Sequence, residues 1–311
     1  MTKQDYFSPV ASQYAAFRPR YPRALFAWLA TLTPGHQRAW DCACGSGQAT
    51  SDLADHFDHV VGTDLSAEQL REATTRANIE YRVAVAEASG LPDASIDLIT
   101  VAQALHWFDA PRFYAEARRV LKPDGVLTVW CYGVCTLAPE HGDALLQELY
   151  SGILGPYWPP ERRHIEAGYR TLPFPRPELA VPHLAMVLEW SLEQLLGYLS
   201  SWSATNRYIQ AHGRDPLLPF RAAIAPYWGD PAIRRNIHWP LNIRAAALPN
   251  HGSWDVGGSR ATANARIATN AASNKSDSAS TRPPPPVPGG AFTVTATCAA
   301  ATWPAPLQVM M

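Results

Sequence analysis

The sequence predicts an α/β domain built on a doubly wound, mostly parallel sheet, and three observations carry that expectation. Five short apolar segments alternate with helical segments between residues 38 and 131, the pattern of strands joined by crossover helices. The first two enclose the run RAWDCACGSGQATSDLADHFDHVVGTDLS, residues 38–66, which reads as strand, glycine turn, helix, strand and acid. The fourth, SIDLITV at 95–101, is nearly all apolar at its end, as a parallel strand covered on both faces must be.

The 38–66 unit comes first because the others are placed around it. Its first strand ends at Asp41, Gly45 and Gly47 make a tight turn, and residues 48–57 form a helix. Residues 59–63 are the second strand, with Asp64 at its carboxyl end. Such a unit sets main-chain N–H groups and a helix N-terminus beside a ligand, and an acid in that place accepts hydrogen bonds from a ribose. An adenosine-type cofactor is therefore expected. A dinucleotide fingerprint requires a third glycine for close helix packing. Thr50 stands there, which argues against an NAD(P)-binding oxidoreductase of the same fold.

The remaining elements follow in order. Residues 22–32 are an amphipathic helix leading into the first strand. A helix at 66–77 starts with Ser66 as N-cap and Gln69 three positions on, a capping-box pattern. Residues 81–85 are the third strand, 111–121 a helix, and 126–131 the fifth strand after the turn KPDG. Between the fourth strand and that helix lies AQALHWFD, residues 102–109. Ligands in open parallel sheets bind outside the carboxyl ends of strands, so this loop is expected at the active site. Further on, 183–190 and 234–248 read as strands, and 192–201, 204–212 and 216–227 as helices.

Several of these strings carry a resemblance. The run DCACGSGQ resembles the first motif of class I S-adenosylmethionine-dependent methyltransferases, with Ala43 where that family usually has glycine; the alanine is expected at negative φ. YAAFRPRYP before the core, AQALHWFD, EARRVLKPDGVL, LLGYLSSWSA and WPLNIR narrow the resemblance to the methyltransferase type 11, trans-aconitate methyltransferase-like group. The resemblance implies a Rossmann-like seven-stranded sheet closed by an antiparallel hairpin. A helical insertion at about 191–230 then roofs the substrate pocket, with Trp202, Tyr208 and Trp228 as candidate lining.

The same resemblance implies S-adenosyl-L-methionine as cofactor and a set of site residues. Residues 1–37 become a lid and leading helix, with Tyr14, Arg18 and Tyr21 near the cofactor and Arg18 forked onto its methionine carboxylate. Asp41 meets the ammonium through water, Ala43, Gly45 and Gly47 admit the methionine half, and Asp64 holds the ribose. Leu65, Ala86, Glu87 and Gln103 complete the cofactor set, with Ala86 and Glu87 near the adenine. His106 is a general base or an orienting group for the acceptor, and Trp107 offers an aromatic face to the sulfonium cation. The acceptor's oxygen, nitrogen or carbon attacks the methyl group in line. A small acidic metabolite, methylated on a carboxylate or hydroxyl oxygen, is favoured by the resemblance, and its identity stays open. A non-catalytic S-adenosylmethionine-binding protein is the remaining alternative.

Composition bounds the rest. A net charge of −1 with 17% charged residues gives no electrostatic case for nucleic acid. No apolar run reaches membrane-spanning length, and MTKQDYFSPVAS has no apolar signal core. With five scattered cysteines, the expectation is a cytoplasmic protein. Cys42 and Cys44 are expected to be packed thiols, since no second Cys/His pair completes a zinc site. From 249 to 311 the composition shifts to Ala, Thr, Ser, Asn, Gly and Pro, with four consecutive prolines at 283–286. That stretch is expected to be a disordered extension of a methyltransferase domain spanning 38–248.

Overall fold

Side-chain alternation along the strands decides how the layers form. The computed structural model describes residues 18–137, 141–248 and the backbone of 255–256. The expectations placed on Tyr14 and the rest of 1–17, and on the tail apart from 255–256, lie outside the described residues. The chain begins with α1 (Arg23–Thr31), β1 (Arg38–Cys42), α2 (Gln48–Leu53) and β2 (His59–Asp64). It continues with α3 (Ala67–Arg71), β3 (Ile79–Val83), β4 (Ile96–Ala102), α4 (Ala110–Val120) and β5 (Leu121–Tyr132). These strands lie in the order β5-β4-β1-β2-β3, all parallel.

Neighbouring strand residues point to opposite faces. Ala39, Leu98, Val126 and Trp130 therefore pack with Leu25, Phe26 and Leu29 of α1 and Leu53 of α2. Trp40, Ile99, Leu127 and Val129 pack on the other face with Phe113 and Ala117 of α4. Both faces are covered, as a doubly wound sheet requires. α3 is shorter than the expected 66–77. Its N-cap is as read, Ser66 Oγ accepting from Gln69 N at 3.2 Å. Past Arg71, however, the β-branched pair Thr74 and Thr75 weakens the helix, and the Thr74 carbonyl accepts the Tyr81 hydroxyl at 3.1 Å instead.

The second half builds a cap. It contains β6 (Thr136–Leu137), α5 (Gly142–Gln147), a π-helical stretch at Glu148–Ile153, α6 (Arg162–Glu166), β7 (Pro175–Arg176) and β8 (Met186–Trp190). Then come α7 (Leu192–Ser200), α8 (Ser203–His212), α9 (Leu217–Trp228), β9 (Arg235–Trp239) and β10 (Leu241–Ala247). α7 starts with a full capping box between Ser191 and Gln194, and α8 ends at Gly213, φ 65°.

The expected last strand, 234–248, is two strands. Pro240 has no N–H to donate, so the ladder breaks there. β10 joins the main sheet antiparallel to β5, whereas β9 pairs with β8 and β6 in a separate three-stranded sheet. The main sheet thus has six strands among the described residues, not the seven of the resemblance. Main-chain pairing also continues past Leu248, because β11 (Asp255–Val256) pairs antiparallel with β7.

Candidate active site

The turn after β1 is built from left-handed residues. Ala43, Gly45 and Gly47 have φ of 55°, 56° and 75°. The expectation of negative φ for Ala43 is not met: its neighbours impose the left-handed conformation, which costs an L-residue about 1–2 kcal/mol. At Gly47 a second constraint applies, since a Cβ there would collide with the Tyr81 hydroxyl. The turn is tied to β2 by Cys44 N donating to Thr63 O at 2.9 Å and Gly45 N donating to Asp64 Oδ2 at 2.8 Å.

Asp41 and Asp64 do different work. Asp41 is wholly buried beside Thr100 in the β1–β4 register. Thr50 Oγ1 donates to its Oδ2 at 2.6 Å and Thr100 Oγ1 to its Oδ1 at 2.8 Å. Burial pushes its pKa up to about 6. The structure therefore places Asp41 under the turn as its brace, not at a surface a ligand reaches. Thr50, where a dinucleotide site has glycine, is the partner that makes this brace. Asp64 accepts from Gly45 N and, through Oδ1, from Ser66 N at 2.8 Å.

Beside Asp64, three large apolar side chains stand exposed: Leu65 at 49%, Val83 at 60% and Val85 at 38%. Val83 is Asp64's register partner across β2 and β3. Of the four, sequence reasoning singled out Asp64 and Leu65; exposure of the two valines had no sequence signal. Ala86 is buried. Glu87 Oε1 accepts from Asp109 N at 2.8 Å, tying the loop after β3 to the start of α4.

On the opposite side a cavity is lined by Arg18, Tyr21, Cys44, Ser46, Gln48 and Gln103, among others. Arg18 Nη1 donates to the Tyr132 hydroxyl at 2.9 Å, which fixes the guanidinium over the carboxyl end of β5. Gln103 has φ 58° and donates from Nε2 to Tyr132 O at 3.2 Å. Its Oε1 is buried with no hydrogen-bond partner among the described residues, and such an oxygen calls for a donor. A guanidinium for a carboxylate and an orphaned amide oxygen for an ammonium fit the amino-acid end of S-adenosylmethionine. Tyr132, which sequence reasoning missed, was findable from its place at a strand's carboxyl end.

His106 and Trp107 lie in a 3-10 turn after β4, with ring centroids 4.7 Å apart. His106 Nδ1 is 3.1 Å from the Tyr169 hydroxyl. Burial, aided by the charges of Arg162 and His164, pushes the His106 pKa down to about 3, so the ring is neutral at physiological pH. Arg162 Nε donates to the Tyr150 hydroxyl at 2.8 Å, and its guanidinium stacks over Trp158 at 4.7 Å. Neither Arg162 nor Tyr169 carried a sequence signal.

Trp202 and Trp228 are buried in the cap's aromatic core, so they build the cap instead of lining the pocket. Tyr208 packs against Tyr157 and His212. Burial pushes the Cys42 and Cys44 thiols up, as for packed, unreactive cysteines. Among the described residues no group of three His, Cys, Asp or Glu side chains is placed to share a metal ion, and no helix is long and apolar enough to cross a membrane.

A family described as a methyltransferase domain matches residues 40–129. A candidate methyltransferase of Dictyostelium discoideum is 35% identical over 216 residues, 68% of this chain and 82% of that one. An uncharacterized methyltransferase of Mycobacterium tuberculosis is 37% identical over 128 residues, 40% of this chain and 51% of that one. Among solved structures, a candidate type II methyltransferase from Anaeromyxobacter dehalogenans is 46% identical and superposes with a TM-score of 0.71. That match covers 76% of this chain and all of the other.

Proposed function

The chain belongs to the class I S-adenosylmethionine-dependent methyltransferases, and from that membership we propose that it methylates an oxygen, of a carboxylate or a hydroxyl, on a small molecule. The observation that carries this reading is His106. It is a neutral imidazole at the carboxyl end of the sheet, under the positive charge of Arg162. A hydrogen-bonding ring next to a cation suits an acceptor bearing an anionic oxygen.

The cofactor, when bound, supplies an electrophilic methyl group on a sulfonium. Arg18 holds its carboxylate, and the Gln103 amide oxygen receives its ammonium. Asp64, at the carboxyl end of β2, accepts the ribose hydroxyls, as an acid in that place of a βαβ unit does. Leu65, Val83 and Val85 give the adenine an apolar surface, and Trp107 gives the sulfonium an aromatic one. With a pKa near 3, His106 does not take a proton at neutral pH. It orients the acceptor oxygen, and positioning of this kind removes a large part of the barrier. A carboxylate acceptor needs no base; a hydroxyl acceptor gives up its proton to solvent water, since His106 does not take it.

The test is calorimetric titration with S-adenosylmethionine and NAD, then release of S-adenosylhomocysteine across a panel of small carboxylates and phenols. S-adenosylmethionine binding followed by turnover with a panel member is the expected result. Binding without turnover across the panel favours a non-catalytic binder, and binding of NAD alone overturns the reading.

A further inference from the structure

We propose that Tyr169 is a positioning residue: it fixes His106 in the tautomer protonated on Nε2, making the ring a hydrogen-bond donor at that nitrogen. The role in catalysis rests on the function proposed above; the tautomer does not. Tyr169 lies in the cap, 63 positions from His106 in sequence, and is wholly buried. Its hydroxyl is 3.1 Å from His106 Nδ1, with the two rings 5.8 Å apart at 36°.

The direction of the bond follows from counting protons. Among the described residues the Tyr169 hydroxyl is within hydrogen-bonding distance of no acceptor other than His106 Nδ1. A phenol has one proton, and the burial of Tyr169 keeps it protonated. That proton has the Nδ1 lone pair as its acceptor, so Nδ1 is unprotonated. A neutral imidazole then carries its hydrogen on Nε2.

Tyr169 is itself held in place at some cost. It has φ 61° after Gly168 at φ 56°, a pair of left-handed residues of which only the glycine is at ease. Asn242 packs against Gly168, 2.8 Å from where a Cβ would lie, which excludes a side chain there. Arg244 Nη1 donates to the Tyr169 carbonyl at 2.7 Å and to Leu172 O at 3.0 Å. Glu178 in turn holds Arg244, its Oε1 2.7 Å from Nη2 and its Oε2 3.2 Å from Nε. A sparsely populated backbone held by a half-buried ion pair is over-determined, the usual condition of residues placed for function. Packing alone needs a ring at this position and gives no reason for a hydroxyl aimed at Nδ1.

The experiment is a long-range 1H–15N correlation spectrum of the full chain, labelled with 15N-histidine, at pH 7. The His106 signals are assigned by their loss in His106→Gln. The wild type is expected to show protonated Nε2 and unprotonated Nδ1. In Tyr169→Phe, which keeps the ring and drops the hydroxyl, the two nitrogens are expected to move toward the averaged shifts of a mixed tautomer. Protonated Nδ1 in the wild type, or an unchanged His106 pattern in Tyr169→Phe, overturns the proposal. If the variant does not fold, the wild-type spectrum alone decides it. The spectrum needs no acceptor, so an inactive panel and a wrong tautomer are separate outcomes.

Discussion

At Ala43 a methyl group sits on a left-handed backbone, φ 55°, in the turn after β1. Ala43→Gly relieves about 1–2 kcal/mol of strain and adds about 0.4–1 kcal/mol of unfolded-chain entropy. The variant is expected to gain on the order of 0.5 kcal/mol, read from its urea midpoint at unchanged slope; a loss would mean the alanine methyl packs productively. Removal of Asp64 has two readouts. Asp64→Ala is expected to lose roughly 2–4 kcal/mol of S-adenosylmethionine binding and also stability, because the N–H groups of Gly45 and Ser66 lose their acceptor. Unchanged affinity would remove Asp64 from the site. Asp41 and His106 pull stability in opposite directions with pH. The folded Asp41 keeps its proton up to about pH 6, above the ordinary carboxylate range. Its contribution is therefore full below about pH 4 and is lost as pH rises through 6, by up to ~3 kcal/mol. His106, pushed down to about 3, contributes above about pH 6.5 and loses that contribution as pH falls toward 3. Between pH 4 and 7 Asp41→Asn is expected to grow more stable relative to wild type, and His106→Gln less stable relative to it, in melting temperatures taken across that range. Parallel curves for either variant would contradict the burial argument.

At the scale of elements, the 169–178 segment is fastened to β10 by Arg244, which is 5% exposed. Arg244→Met breaks its bonds to Glu178 and to two carbonyls, leaving a carboxylate without its main partner. The expected cost is about 3–5 kcal/mol in chemical denaturation, partly recovered in the double variant with Glu178→Leu; no recovery would mean the carbonyls, not the ion pair, carry the loss. Elements also show what was readable from sequence. The strand–turn–helix–strand unit was legible because glycines, a cap and an acid at set spacing are local demands on the main chain. The break between β9 and β10 was missed although Pro240 marked it, because RRNIHWPLNIRAAAL is apolar enough on both sides to read as one strand. Arg162 and Tyr169 were not legible at all. They reach His106 only because the topology folds the cap over the loop after β4, and no local period records a contact 63 residues away. Trp202 and Trp228 show the converse: aromatic residues of the cap pack into the cap's own core before they face a pocket.

For the whole molecule the question is where the folded unit ends. Composition placed the end at Leu248, whose N–H donates to Gly125 O at 2.7 Å. The β7–β11 pairing places it later, since Asp255 and Val256 lie opposite Arg176 and Pro175. A two-residue ladder needs only main chain, so a stretch without apolar period gave no sign of it. By contacts, the chain divides between Arg260 and Ala261. Three chains therefore separate the possibilities: the full length, one ending after Arg260, and one ending after Pro249. The chain ending at Arg260 is expected to melt with the full length and to bind S-adenosylmethionine equally well, because every described pairing is retained. The chain ending at Pro249 loses the β7–β11 bonds, worth about 1 kcal/mol. For a domain of this size that is a drop of about 2–4 °C in Tm. Its cofactor affinity is expected to stay the same, as β7 contributes nothing to the cavity lined by Arg18 and Gln103. Equal melting of all three would return the boundary to Leu248. A loss in the chain ending at Arg260 would show that residues 261–311 stabilise the enzyme, against what their proline-rich, weakly apolar composition implies.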